Sequence, residues 1–139
     1  MGNGEFYMDC GSYDVSLTVP EGWLIGATGQ LQNPEEVLSE QSRARLNMAT
    51  NSHDVVHVVM ENDREPGTST LDSPNDLLTW RFMAVEVRDF AFGTSDKYLW
   101  DATTAEVGDK NNDQSNDLSM IHAFYRPEEE RWSCSAEFA

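Results

Sequence analysis

The sequence predicts a mainly β fold, an antiparallel β-sandwich or saddle of six to eight strands with one short helix near residues 34–49. Several segments alternate apolar and polar residues with the two-residue period of a half-buried strand. Short polar loops containing glycine, proline or asparagine separate these segments. Only one segment begins with a clear helix-start signature. With 139 residues and 39% hydrophobic content, the chain is predicted to form a single domain over residues 1–139.

The first predicted strand covers residues 12–19, SYDVSLTV, in which every second side chain is apolar. A turn at residues 20–22 follows it. The next segment, WLIGATG at residues 23–29, is predicted to return antiparallel to the first strand, with breaks at its two glycines. The apolar positions of the first strand are Tyr13, Val15, Leu17 and Val19.

The helix near residues 34–49 is predicted mainly from its start. Asn33 is a suitable N-cap, Pro34 suits the first helical position, and two glutamates then favour the positive end of the helix dipole. The helix is expected to end at residues 50–52 and to bury an imperfect apolar stripe. That stripe consists of Val37, Leu38, Leu46 and Met48, with Ala44 or the stem of Arg45.

The segment HDVVH at residues 53–57 differs by one residue from His-Glu-x-x-His, the zinc-binding motif of many peptidases. Two histidines four residues apart share an ion in a helix, where their Cβ atoms are about 5–6 Å apart. In a strand the same residues lie about 13 Å apart. The valines of HDVVHVVM favour a strand of about seven residues. Neither His53 nor His57 is therefore predicted to bind zinc.

Four further strand segments are predicted after a polar loop at residues 61–70. LLTWRFMAVEV is apolar on both faces, as in the central strand of a packed sandwich. RDFAFGTS continues the chain through a bend or bulge, and KYLWDATTAEV and SMIHAFYR flank a second polar loop. Residues 127–139 resemble an unfinished helix start. The strand segments cover residues 77–87, 88–95, 97–107 and 119–126.

The second polar loop contains a candidate calcium site. Oxygen-bearing side chains occupy alternate positions, the pattern with which calcium loops surround an ion. The match covers half of the motif, because Gln114 replaces the usual glycine and Met120 the closing glutamate. A solvated hairpin loop is the alternative interpretation. The candidate ligands are Asp109, Asn111, Asp113, Ser115 and Asp117.

The chain is strongly acidic, with a formal net charge of −16 and a pI near 4.2. Such a field repels phosphate backbones and anionic lipids, so partners of these classes are not expected. We expect a folded domain with a hydrated acidic surface suited to concentrated salt, which screens repulsion. No apolar run is long enough to span a membrane, and the N-terminus lacks the features of a signal peptide. The compartment does not follow from the sequence.

No catalytic residue is predicted. Cys10 and Cys134 are too few for a disulfide framework, so we expect two unpaired thiols unless the termini meet. His122 is expected to be an ordinary strand residue, because no Gly-x-Ser-x-Gly elbow accompanies it. Five aromatic residues could form a sugar-binding face, but strand periodicity favours a core role. They are Trp80, Phe82, Phe90, Phe92 and Trp100.

Three segments, in order, resemble the N-terminal β-domain of gluzincin-type zinc aminopeptidases, which form the membrane alanyl aminopeptidase family, and in particular its bacterial branch. The segments are YDVSLTVPEGWLIGATGQLQNPEEVL, LTWRFMAVEVRDFAFGTSDKYLWDAT and HAFYRPEEERW. The most specific piece is VRDFAF followed by WDA. The resemblance covers most of the chain except the loops at residues 51–70 and 108–118.

The resemblance implies a non-catalytic domain that packs on a zinc-containing catalytic domain and shapes peptide access to it. Such enzymes remove N-terminal residues from peptides. Their Gly-x-Met-Glu-Asn and His-Glu-x-x-His motifs do not occur in this sequence, so the chain alone is not expected to be an enzyme or to hold the zinc. The family's strands upstream of Tyr13 have no counterpart, so no substrate contact is carried over. The alternative function is a free-standing β-sandwich binding module for carbohydrate or protein, which calcium could assist.

Overall fold

The computed structural model describes residues 9–65, 67–108 and 117–127, and it confirms the mainly β fold. Eight strands form three antiparallel sheets in these ranges, with order β1-β5-β3, β2-β6 and β4-β7-β8. The strands are β1 Gly11–Pro20, β2 Leu24–Ala27, β3 Gln30–Leu31, β4 Val56–Val59, β5 Leu77–Val87, β6 Phe92–Ser95, β7 Leu99–Glu106 and β8 Leu118–Tyr125. The helical elements are α1 Pro34–Val37, α2 Glu40–Ala49 and a 3₁₀ turn at Glu61–Asp63.

Strand β1 forms as its alternation predicts, but its partner differs from the expected one. It pairs antiparallel with β5, so that Val15 lies opposite Phe82 and Leu17 opposite Trp80. The segment predicted to return beside β1 instead supplies β2, which pairs with β6, and β3, which pairs with β5. Alternation specifies which face of a strand is buried, whereas the choice of partner depends on contacts far apart in sequence.

Strand β5 is the central strand of its sheet, but it is buried on one face only. Its inward side chains are buried, whereas Met83 and Val85 on the other face are 39% and 66% exposed. The expectation of two buried faces is therefore wrong for this strand. Arg81 on the outer face bonds the Asp14 carboxylate of β1 through Nε and Nη2, at 2.9 and 2.6 Å. The inward residues are Leu78, Trp80, Phe82 and Ala84.

The single helix predicted near residues 34–49 is divided in two. Leu38 is extended and forms an isolated antiparallel bridge with Thr70, which interrupts the helix. Ser39 then caps α2, because its Oγ accepts a hydrogen bond from the Ser42 backbone N–H at 3.2 Å. Asn33 does not cap α1 with its side chain. Its Oδ1 accepts instead from the backbone N–H of Arg81 at 2.9 Å, which joins the helix start to β5.

The strand predicted in HDVVHVVM is shorter than expected. Only Val56–Val59 form β4, while His53 lies in a bend before it. The Ser52 hydroxyl oxygen accepts from the Asp54 backbone N–H at 3.1 Å and thus supports a local turn. Among the residues that the structure describes, no three His, Cys, Asp or Glu side chains converge as a metal site requires. Cys10 is an exposed free thiol, and Cys134 lies outside the described ranges.

The last two strands form the long hairpin that the sequence predicts, paired from Leu99 with Tyr125 to Glu106 with Leu118. Strand β7 is buried along most of its length, and β4 lies on its other edge. The core lies between the inward faces of the sheets and the helices. No helix in the described part of the chain has the length and apolar character to cross a bilayer. The largest core side chains are Trp80, Leu24, Ile25, Leu38 and Val37.

Candidate functional site

An aromatic cleft lies between β5 and the β7–β8 hairpin. Alternation along β5 directs Trp80 and Phe82 inward from one side. On the other side, Trp100 of β7 lies opposite Phe124 of β8 in the strand register. His122 shares the inward face of β8 with Phe124, because the two are separated by one residue. The cleft is thus built from the strand regions that the sequence predicts most clearly.

The inner part of the cleft is a cavity of about 290 Å³. Its walls combine the aromatic residues with apolar side chains from β2, β3 and α2, among them Ile25, Leu31 and Leu46. His122 is the only titratable side chain in the described lining, and no described acidic or basic side chain joins it. The polar residues at the wall are Gln30, Asn47, Thr50 and His122. The cavity is therefore mainly apolar, despite the strong negative charge of the whole chain.

A wider groove of about 550 Å³ adjoins the cavity, and His122 and Phe124 line both spaces. Phe92 lies on the groove and is 55% exposed, which is unusual for a large aromatic side chain. Glycines widen the passage. A Cβ atom on Gly26 would approach the Phe124 ring to 2.6 Å, so only a glycine leaves this ring in place. We refer to the cavity and the groove together as the aromatic cleft.

The rings of the cleft are held in fixed relative positions. Trp100 and Phe124 stack with ring centroids 5.0 Å apart and planes inclined by 25°. Trp80 and Phe82 are stacked at 6.4 Å and 10° on the opposite wall. Such packed rings form rigid walls, because buried aromatic side chains have few rotamers available. A ligand would therefore enter a largely preformed space.

The protonation of His122 is defined by its neighbour. The Trp100 indole Nε1–H donates to His122 Nδ1 at 3.1 Å, so Nδ1 carries no hydrogen and the neutral ring bears its hydrogen on Nε2. Burial of the ring lowers the pKa of His122 below its ordinary value. The indole bond acts in the same direction, because protonation of Nδ1 would break it. One edge of the ring remains open to solvent along the groove.

Trp80 contributes an unused hydrogen-bond donor. Its side chain is fully buried and lines the cavity, and its indole nitrogen has no hydrogen-bond partner. The indole N–H can only donate, and buried donors are paired in the great majority of proteins. An unpaired one costs about 1–3 kcal/mol. This donor marks the cavity as a place where an acceptor is missing.

A second polar cluster lies on the opposite face of the β4–β7–β8 sheet. Asp101 is 1% exposed, and its two carboxylate oxygens contact His57 Nδ1 at 2.7 Å and the Tyr125 hydroxyl at 2.9 Å. The His57 side chain is 58% exposed. The cluster explains how a buried carboxylate is accommodated, since both of its oxygens have partners. It explains His57 of HDVVH as a structural residue of the sheet.

Most of the predicted calcium ligands lie outside the described residues. These are Asp109, Asn111, Asp113 and Ser115. Asp117 is described, and its backbone closes the hairpin: its N–H donates to the Gly108 carbonyl at 2.8 Å and its carbonyl accepts from Val107 at 2.9 Å. The loop therefore joins two paired strands, as the hairpin interpretation requires. The calcium site stays a prediction.

The sequence identified part of the aromatic cleft. Of the five aromatic residues singled out, Trp80, Phe82 and Trp100 line the cavity, whereas Phe90 packs at the edge of the core. Phe124, the role of His122 and the cluster around Asp101 were missed. The alternation of SMIHAFY indicated which side chains share a face, but only the pairing of β7 with β8 brings them opposite Trp100.

Comparison of the chain with protein-family models, with curated proteins and with solved structures finds no match.

Proposed function

We propose that the chain is a non-catalytic binding module whose ligand occupies the aromatic cleft. The observation that carries this proposal is the apolar cavity of about 290 Å³ that opens into a surface groove beside an exposed phenylalanine. Binding pockets for small molecules are concave and mainly apolar, with a few polar groups that orient the ligand. The cleft has this composition.

The size of the cavity also supports a binding role. Protein cores are packed about as densely as organic crystals, with few voids larger than a water molecule. An unfilled cavity lowers stability by roughly 24 cal/mol for each Å³, so a space of about 290 Å³ has a cost of several kcal/mol when left empty. The glycine at position 26 keeps the passage open where a larger residue would displace Phe124. A ligand offsets this cost in the bound state.

The lining favours a small uncharged ligand over a long oligosaccharide. Sugars require many polar partners, whereas the described walls offer four polar residues among many apolar ones. The net charge of −16 disfavours anions. No described carboxylate lies in the cavity to pair with a cation. The calcium proposed for the loop at residues 109–117 would act outside this cleft.

The proposal is tested by calorimetric and NMR titration with naphthalene, a small neutral aromatic probe. We expect saturable binding to the wild-type protein and loss of binding on Ala27→Leu, because Ala27 lines both the cavity and the groove. Val85→Leu is the matched control, since Val85 lies exposed on the outer face of β5. Absence of saturable binding to the folded wild-type protein, or equal binding by both variants, would contradict the proposal.

A second proposal rests on the sequence resemblance alone: the chain is the non-catalytic N-terminal domain of a zinc aminopeptidase. The zinc would be held by the catalytic domain of that larger protein, which would be the partner of this domain. The described residues do not themselves fit a zinc site, since His53 lies in a bend and His57 is bonded to Asp101.

Reading the gene beyond the codon for Ala139 tests this second proposal. Gly-x-Met-Glu-Asn followed by His-Glu-x-x-His within a domain's length supports it, and a stop codon contradicts it. Metal analysis of the purified chain is the complementary test. Stoichiometric zinc on this chain would contradict a non-catalytic role.

A further inference from the structure

We infer that the ligand of the aromatic cleft is a flat, uncharged molecule of about two fused rings that presents a carbonyl-type acceptor to Trp80 Nε1. This inference rests on the proposed binding function and specifies its ligand. Three features of the cleft carry it: the cavity volume, the unpaired indole donor, and the tautomer of His122.

The volume sets the size of the ligand. An apolar cavity of about 150 Å³ accommodates a benzene ring. The cavity between β5 and the β7–β8 hairpin has about 290 Å³, which is space for about two fused rings. The flat faces of Trp80, Phe82, Trp100 and Phe124 favour a planar molecule, because aromatic rings stack in offset or tilted arrangements.

The fixed polar hydrogens at the cleft set the chemistry of the ligand. Trp80 Nε1–H is buried, unpaired and able only to donate. His122 also has a hydrogen on Nε2, because its Nδ1 already accepts from Trp100. Both groups therefore call for acceptors on the ligand. A molecule without an acceptor would leave the Trp80 donor unpaired in the complex.

The electrostatics restrict that acceptor to an uncharged one. A carboxylate or phosphate would satisfy the two donors, but it would be brought into an apolar cavity inside a protein of net charge −16. No described lysine or arginine lines the cavity to compensate an anion. A neutral carbonyl, such as that of a lactone, an amide or a ketone, satisfies the donors without this penalty.

Coumarin and naphthalene provide a matched test. The two molecules have nearly the same flat bicyclic shape, but only coumarin has a carbonyl acceptor. We expect coumarin to bind the wild-type protein roughly tenfold more tightly than naphthalene, the effect of one additional net hydrogen bond. Calorimetric titration of both probes gives the ratio of their dissociation constants. The anion 2-naphthoate serves as a third probe and is expected to bind more weakly than naphthalene.

Trp80→Phe assigns the preference to the indole donor. The variant retains an aromatic wall but removes Nε1–H, so coumarin should lose about tenfold in affinity and naphthalene should keep its affinity. Trp23→Phe is the control, because Trp23 is absent from the described lining of the cleft. If Trp80→Phe does not fold, the Trp80 indole N–H signal of the wild-type protein decides: coumarin should move it downfield and naphthalene should not.

The outcomes separate the ligand class from the binding function. A coumarin preference that disappears in Trp80→Phe supports the inference. Equal binding of coumarin and naphthalene overturns it while leaving the proposed function intact. A coumarin preference that survives in folded Trp80→Phe also overturns it. If neither probe binds the folded wild-type protein, both the inference and the proposed function are overturned.

Discussion

Asp101 shows how one buried charge restricts the choice of its neighbours. Its carboxylate is shielded from water, so His57 and Tyr125 must supply the hydrogen bonds that water would otherwise provide. The sequence placed His57 in a strand, and the structure agrees for this residue. The pairing with Asp101 could not be read from the sequence, because it depends on the register of β4 against β7.

The two histidines of HDVVH should differ in their effect on stability. We expect His57→Ala to lower the free energy of unfolding by about 1–2 kcal/mol, because a buried carboxylate oxygen loses its partner while the exposed ring limits the loss. His53→Ala is the matched control and should change stability by less than about 0.5 kcal/mol. Urea unfolding of the three proteins measures both values. Equal effects of the two substitutions would contradict a structural role for His57.

His122 should make stability depend on pH. Its pKa is lowered in the folded state by burial, so the unfolded chain binds a proton more readily. The contribution of His122 is therefore fully present above the ordinary value of 6.5 and is lost as the pH falls below it. His122→Gln should remove this component, because glutamine keeps an acceptor for Trp100 and does not titrate. Unfolding free energies measured on both sides of that pH should converge at low pH; parallel curves would contradict the account.

The strands show what local pattern can and cannot specify. The alternation of β1 and β5 predicted which side chains point inward, because a residue and its neighbour lie on opposite faces. The division of the helix was not foreseen. Leu38 has good helix propensity, but its bridge to Thr70 and the capping bond of Ser39 together override that tendency. The pairing of β2 with β6 likewise depends on tertiary contacts.

The turn before β3 provides a test of backbone geometry. Gly22 and Gly29 both have positive φ, at +81° and +90°, but only Gly29 is closely packed. A Cβ on Gly29 would lie 2.3 Å from the Met83 carbonyl, whereas nothing lies within 4 Å of one on Gly22. We expect Gly22→Ala to destabilise the protein by about 1–2 kcal/mol through φ strain alone. Gly29→Ala should cost more than Gly22→Ala.

Thermal unfolding of both glycine variants beside Gly11→Ala gives the comparison. Gly11 has open space around its Cβ position and no positive φ, so its variant should behave as the wild type. If Gly29→Ala proves no more destabilising than Gly22→Ala, the close approach of the β3 turn to β5 is wrong. That result would also remove one wall of the aromatic cleft, because Gly29 lines it.

The acidity of the whole chain should make its stability depend on salt. Charge repulsion at a net charge of −16 opposes the compact state, and added salt screens it. We expect the midpoint of thermal unfolding to rise by roughly 5 °C or more between low salt and molar sodium chloride, which corresponds to about 1 kcal/mol. A sucrose series separates screening from general exclusion of the solute. A flat response to salt would remove the proposed adaptation to concentrated salt.

The fold as a whole was more predictable than the site. Composition and alternation together indicated a small mainly β domain, because both depend on residues close in sequence. The aromatic cleft depends on the relative position of β5 and the β7–β8 hairpin, which meet only in three dimensions. Its aromatic walls were recognised as apolar strand residues, but nothing local distinguishes a filled core from an open one.

The cleft is tested most directly by two-dimensional ¹H–¹⁵N NMR of the tryptophan indole groups during titration with coumarin. Trp80 lines the cavity with an unpaired Nε1–H, whereas Trp23 is not part of the described lining. The account predicts a saturable downfield shift of the Trp80 signal, assigned with Trp80→Phe, while the Trp23 signal stays in place. An unchanged Trp80 signal at saturating coumarin would show that the cleft receives no such ligand and would contradict the proposal.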